Sequence, residues 1–175
     1  MNSPTNEKTM VIVDGYNYLH STMKMNKISK IELEQLRNKL IEDLNQLARH
    51  RGWSVTVVFD SSNKGNVFLK NEVKDKVTVL FTKKGQSADN LTETLVYKNK
   101  GKRIFVVTSD YIHQRITFGG GAFRMTTRQL KSQLKQLKRE IRSRDIFSNK
   151  LNVPISKRID KKVERKLDKI RKGKV

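Results

Sequence analysis

Residues 10–17 read Met-Val-Ile-Val-Asp-Gly-Tyr-Asn, four apolar positions closed by an aspartate and a glycine. An unbroken apolar run of this length, ended by a turn signal, is the mark of a strand covered on both faces. Asp14-Gly15 has two readings, the tip of a hairpin or the junction between a strand and a helix. Residues 16–25 lack the alternation of a returning strand, and the chain beyond them alternates strand-like and helical segments. The junction is therefore expected, with Asp14 at the carboxyl end of a first strand.

Working outward, three further apolar runs read as strands: Val55–Phe59, Val77–Phe81 and Ile104–Thr108. Helical periods separate them. Ser29 and Glu32 form a capping-box pattern ahead of the stripe Leu33, Leu36, Leu40, Leu44 and Leu47, and Gly52 ends that helix. Ser87 can cap a second helix carrying Leu91 and Leu95, stopped by Gly101. Strand-helix alternation predicts a parallel sheet in an α/β domain. After it, Tyr111–Phe118 reads as a short helix broken by Gly119, Gly120 and Gly121. Thr126 and Gln129 suggest a second capping box, opening a helix with Leu130, Leu134, Leu137 and Ile141 inward. Ile155, Ile159, Val163, Leu167 and Ile170 mark a last, strongly basic helix. The expected organisation is a flexible segment 1–9, one domain over 10–148, and a basic helical extension over 149–175.

Charge narrows the function. The 175 residues hold 38 Lys and Arg against 17 Asp and Glu, a formal charge of +21. From Arg124 onward there are 19 basic and 5 acidic residues, so the excess is concentrated toward the end. Such a field fits a polyanionic partner, with Arg124, Arg128, Lys131, Lys135 and Lys138 the expected RNA-binding residues. The basic helices lack bulky aromatic anchors, which argues against a membrane surface. No cysteine is present, which excludes disulfides, thiolate metal sites and cysteine nucleophiles. With polar residues over 1–9 and no long apolar run, a cytoplasmic protein is expected.

The chemistry is carried by aspartates at strand ends. Asp14, Asp60 and Asp110 each follow an apolar strand, and Asp89 lies in the first turn of the helix after the third strand. In open α/β sheets the functional crevice lies at the carboxyl ends of the strands, so parallel strands bring these acids to one edge. Singly, each has an ordinary role in a turn or helix start. Gathered carboxylates repel, and a hard divalent cation, Mg²⁺ or Mn²⁺, relieves that repulsion and can serve phosphodiester hydrolysis. Asn17 and Ser109 can reach the same edge in a supporting role. There is no dinucleotide fingerprint and no phosphate loop of the G-x-x-x-x-G-K-[ST] type, and no small-molecule cofactor is expected. His20, His50 and His113 have no metal-ligand spacing.

The motifs Val13-Asp14-Gly15-Tyr16-Asn17, Val57-Val58-Phe59-Asp60, Phe81-Thr82-Lys83, Ala88-Asp89, Thr108-Ser109-Asp110-Tyr111 and Phe118-Gly119-x-Gly121-Ala122-x-Arg124 occur in a familiar order. The chain resembles the YacP-like branch of the NYN domains, relatives of the PIN nucleases, from about Met10 to the basic C-terminus. The resemblance implies a PIN-like three-layer α/β/α sandwich around a parallel sheet, with basic C-terminal helices. It implies a Mg²⁺ or Mn²⁺ site built on Asp14, Asp89 and Asp110, with Asn17 beside them and Asp60 at the second strand. Asn90 stands where the family often has a second acid after the helix Asp. The resemblance further implies an endoribonuclease that cuts mRNA in the A site of the translating ribosome, with ribosomal RNA as the docking partner. A free-standing RNase acting on structured or tRNA-like RNA, and a non-catalytic RNA- or ribosome-binding module, are the alternatives.

Overall fold

The computed structural model describes residues 9–22, 28–60, 71–83, 85–109, 121–151, 163 and 170–172, with side chains through 144 and at 163 and 170–172. The chain divides into two compact units, Met1–Lys135 and Gln136–Val175. The expected helix at Tyr111–Phe118, the Gly119–Gly120 break and most of the last basic helix lie outside the described residues, as does Asp110.

In the first unit the chain runs β1 (Met10–Asp14), α1 (Gly15–Thr22), α2 (Lys30–Arg51), β2 (Ser54–Phe59), β3 (Glu72–Lys74), β4 (Val77–Phe81), α3 (Ala88–Lys98), β5 (Ile104–Val107) and β6 (Phe123–Met125). A final helix, α4 (Thr127–Leu151), begins in the first unit and continues into the second. The six strands form one sheet in the order β3-β4-β2-β1-β5-β6. Every neighbouring pair is parallel except β3 with β4. All four expected strands are present, and α1 follows β1 directly, which removes the hairpin reading of Asp14-Gly15.

Two strands escaped the sequence reading. β3 is Glu-Val-Lys with every residue exposed, so no apolar pattern betrays it. It pairs through a two-residue turn in which Asp75 takes φ 56°, a conformation Asp tolerates better than most residues. β6 has only three residues and is held as a parallel edge by β5.

Two apolar layers sandwich the sheet, because successive strand residues face opposite sides. Met10, Ile12, Val58, Ile104 and Val106 form one face and pack with Ala88, Leu91, Leu95 and Val96 of α3. Val11, Val13, Val55, Val57 and Phe59 form the other and are buried. That face lies under α2, which packs on β2 and β4 and buries Leu33, Leu40, Ile41, Leu44 and Leu47. Each such side chain contributes about 1.5–3 kcal/mol relative to exposure.

The helix boundaries follow local hydrogen bonds. Ser29 and Glu32 make the reciprocal capping box, and Gly52 ends α2 in the left-handed conformation at φ 68°. Thr126 and Gln129 make the same reciprocal pair at the start of α4, at 2.7 and 3.1 Å. In α4, Leu130, Leu134 and Leu137 are buried and Ile141 half-buried, as the stripe predicts.

Candidate active site

The strand order places a topological switch beside β1. From β1 the chain moves through β2 to β4 on one side, then crosses by way of α3 to β5 on the other. At such a point the two connections diverge and leave a crevice beyond the carboxyl ends of the central strands. Asp14 is the last residue of β1, and Ser109 lies two residues past the end of β5, its neighbour across the switch.

Asp14 has a structural duty as well. Its Oδ1 accepts a hydrogen bond of 3.0 Å from the backbone N–H of Asn17, so it caps α1 from the last position of the strand. Asn17 then joins the two sides of the crevice. Its Oδ1 accepts from the Ser109 N–H at 3.0 Å and from the Ser109 hydroxyl at 2.8 Å. The backbone just before Asp110 is thereby tied to the turn carrying Asp14, across 92 positions of sequence. With that oxygen committed to Ser109, Asn17 is a positioning residue in this arrangement.

The turn itself is held from below. Gly15 is buried, and a β-carbon there would lie 2.2 Å from Phe59 Cε1, so the ring fills the space any side chain would need. The Phe59 ring meets Tyr16 edge-on at 5.1 Å and stacks on Phe81 at 5.6 Å. Phe59 and Phe81 are the last residues of β2 and β4, so an aromatic wall supports the strand ends.

Asp60 follows β2 and accepts a hydrogen bond of 3.1 Å from the Thr82 hydroxyl beyond β4. Asp89 is half-buried in the first turn of α3, capped by Ser87, whose hydroxyl accepts from the Asn90 N–H at 3.2 Å. An acid in that turn also lies favourably in the helix dipole. Since α3 follows the carboxyl end of β4 and leads to the start of β5 in the same parallel set, its N-terminal turn lies at the carboxyl edge of the sheet, as Asp14 and Asp60 do.

The described donors at this edge are carboxylate, amide and hydroxyl oxygens, with no sulfur or imidazole. That chemistry fits a hard cation such as Mg²⁺ or Mn²⁺. Among the described residues no three of His, Cys, Asp and Glu gather as a metal-holding group, and Asp110, the third expected acid, lies outside them.

The expected RNA-binding cations are dispersed in role. Arg124 is half-buried within β6, whereas Arg128, Lys131, Lys135 and Lys138 are exposed on α4. Lys131 donates to the Thr22 carbonyl at 3.1 Å, the last residue of α1. Among the described residues no helix is long and apolar enough to cross a membrane.

One residue of this edge was missed by sequence reading. Arg37 is 7% exposed and lies against the aromatic wall, with Nη1 donating to the Tyr16 hydroxyl at 3.3 Å. Its signal was present: Arg37 falls four residues after Leu33 and four before Ile41, inside the apolar stripe of α2.

Comparison with known proteins agrees with the motifs. The profile of the YacP-like NYN domain matches residues 11–172. YacP of Bacillus subtilis (strain 168) is 34% identical over 146 residues, which are 81% of this chain and 85% of that protein. The crystal structure of Rae1 (YacP) from Bacillus subtilis superimposes with a TM-score of 0.67 at 32% identity, over 94% of this chain and 95% of that one. The crystal structure of a mutant of that protein gives 0.65 at 31% identity, over 79% and 83%. The PIN-like α/β fold expected from the sequence is the fold observed.

Proposed function

Since the chain belongs to the YacP-like NYN domain family, we propose that it is a divalent-metal-dependent endoribonuclease that cuts mRNA in the A site of the translating ribosome. The family points to a nuclease in general. The observation that supports hydrolysis over mere binding is the placement of Asp14 and Asp89 at one sheet edge, with the approach to Asp110 tied there through Asn17 and Ser109. A protein that only held RNA phosphate would gain nothing from acids at that edge of a +21 chain.

Asp14, Asp89 and Asp110 would hold Mg²⁺ or Mn²⁺. When bound, the ion supplies activation of water and neutralisation of the charge that builds on the phosphodiester. Asn17 and Ser109 fix the spacing between the two sides of the crevice, and Gly15 and Phe59 fix the turn. The exposed cations of α4 would hold ribosomal RNA through its phosphates, with little sequence preference. Selectivity then comes from delivery of the strand. Docking on a ribosome raises the effective concentration of one phosphodiester at the acids, an effect worth several kcal/mol. Such an activity belongs in the cytoplasm, with translating ribosomes.

The test is incubation of one mRNA with the purified protein, with and without translating ribosomes, in Mg²⁺ and in EDTA. Single-site cleavage that needs ribosomes and is lost in EDTA is expected. Asp14→Asn and Asp89→Asn should abolish it while folding normally, because Asn caps α1 about as well as Asp, and losing the Asp89 charge from the first turn of α3 costs only about 0.3–1 kcal/mol. Cleavage of naked RNA at the same site and rate would replace this reading with a free-standing RNase. Ribosome binding without cleavage would leave a non-catalytic RNA-binding module.

A further inference from the structure

Among the described residues Arg37 is the only buried charged side chain. Buried cations are normally paired with a carboxylate, because an uncompensated charge inside a protein is costly. Among the described residues its polar and ring contacts are the Tyr16 hydroxyl at 3.3 Å and the face of Phe81, whose centroid lies 5.9 Å from the guanidinium carbon. A structural clamp between α2 and α1 would need no charge there, and a methionine or leucine would fill the same stripe. A fixed cation behind a hydroxyl suits an anion that arrives from solution.

The position is specific. Phe81 ends β4 and Tyr16 lies two residues after Asp14, so the pair sits at the carboxyl edge of the sheet, where the acids lie. β4 is two strands away from β1, a lateral offset on the order of 10 Å. Tyr16 is half-buried, whereas Arg37 is 7% exposed, so the tyrosine is the more exposed member of the pair. Because that oxygen accepts from Arg37, its own proton is directed away from the guanidinium and is available to a second acceptor. The low-dielectric surroundings of Arg37 strengthen its attraction for a negative group beyond the hydroxyl.

We propose that the Tyr16 hydroxyl, backed by Arg37, binds a non-bridging oxygen of the RNA phosphate next to the one that is cut. Tyr16 makes the contact, and Arg37 orients the hydroxyl and supplies the charge. The arrangement would set the register of the strand over the acids. It rests on the endoribonuclease reading for which phosphate is cut, but it is measured by binding alone.

The experiment uses the Asp14→Asn protein, in which cleavage is silent, and a short single-stranded RNA from the message of the ribosome assay, spanning the cut where one is mapped. A neutral methylphosphonate linkage is walked along the strand. At one linkage beside the scissile one, neutralisation should weaken binding about tenfold, the range of a hydrogen bond to a charged group. Adding Tyr16→Phe, which keeps the ring against Phe59, should abolish that sensitivity. Arg37→Gln should lower the slope of log K against log salt by roughly 0.7, and Arg37→Lys should restore the slope. A strand with no sensitive linkage beside the scissile one, or equal sensitivity with Tyr16→Phe, overturns the proposal. If Arg37→Gln does not fold, the Tyr16→Phe comparison still decides. Cleavage by the wild-type protein without this coupling removes the phosphate site alone. Coupling without any cleavage removes the nuclease reading and leaves a phosphate-binding site.

Discussion

The side-chain oxygen of Asn17 accepts two hydrogen bonds from one residue, Ser109, and so closes the switch-point crevice between β1 and β5. Asn17→Ala leaves the Ser109 N–H and hydroxyl without their acceptor. The expected cost is about 1–2 kcal/mol of stability and a larger proportional loss of cleavage, since the approach to Asp110 is released. Ser109→Ala keeps the backbone bond and should be milder on both measures. Thermal melts paired with single-turnover cleavage check the order. Wild-type behaviour in both variants would show that the bridge positions nothing.

Gly15 and Phe59 make the second prediction. The Phe59 ring is fully buried and held between Tyr16 and Phe81, so it has no room to swing away from a new methyl group. Gly15→Ala should destabilise by about 1–3 kcal/mol, the usual range for overpacking. The penalty should shrink when Phe59 is first replaced by Leu, giving a favourable coupling in a double-mutant cycle. Additive losses would mean that the clash is absorbed elsewhere.

How much of this was legible depends on the physical range of each signal. β1 and β2 were readable because both faces are covered, and β4 and β5 because they remain apolar runs although Leu80, Phe81 and Phe105 are only half-buried. β3 was not, because Glu72, Val73 and Lys74 are all exposed and only the Asp75 turn and the β4 edge hold them. Capping at Ser29, Ser87 and Thr126 was readable because it spans three residues. The Asn17–Ser109 bridge spans 92 positions, and no period or spacing reports such a contact. Arg37 was overlooked for a different reason. Charged residues on a helix are read as solvated, and only its place within the stripe argues otherwise.

Tyr18 gives a pH dependence with a definite sign. Burial of its hydroxyl, with the Asp43 carboxylate adding to the effect, pushes its pKa from 10.0 up to about 12. The unfolded chain releases this proton near 10, before the folded protein does. The contribution is therefore whole below pH 10 and is lost as pH rises from about 10 to about 12. Tyr18→Phe removes this term. Denaturant unfolding at pH 9 and at pH 11 should show the variant gaining on the wild type at the higher value. An unchanged difference between the two would refute the assignment.

The cations of α4 should not be interchangeable. Lys131 donates to the carbonyl of Thr22, one of the orphan acceptors at the C-terminal end of α1, where a positive charge also suits the helix dipole. Its loss as Lys131→Gln should cost about 0.3–1 kcal/mol of stability and change RNA binding little. Arg128 and Lys135 are exposed on the same helix. Replacing both with Gln should leave melting close to wild type but flatten the salt dependence of RNA binding by roughly 0.7 per lost phosphate contact. The discriminating measurement is the slope of log K against log salt for the two variants side by side. If Lys131→Gln alone flattens it as much as the double replacement, the Thr22 contact is not what occupies Lys131, and the whole face acts as one undifferentiated docking surface.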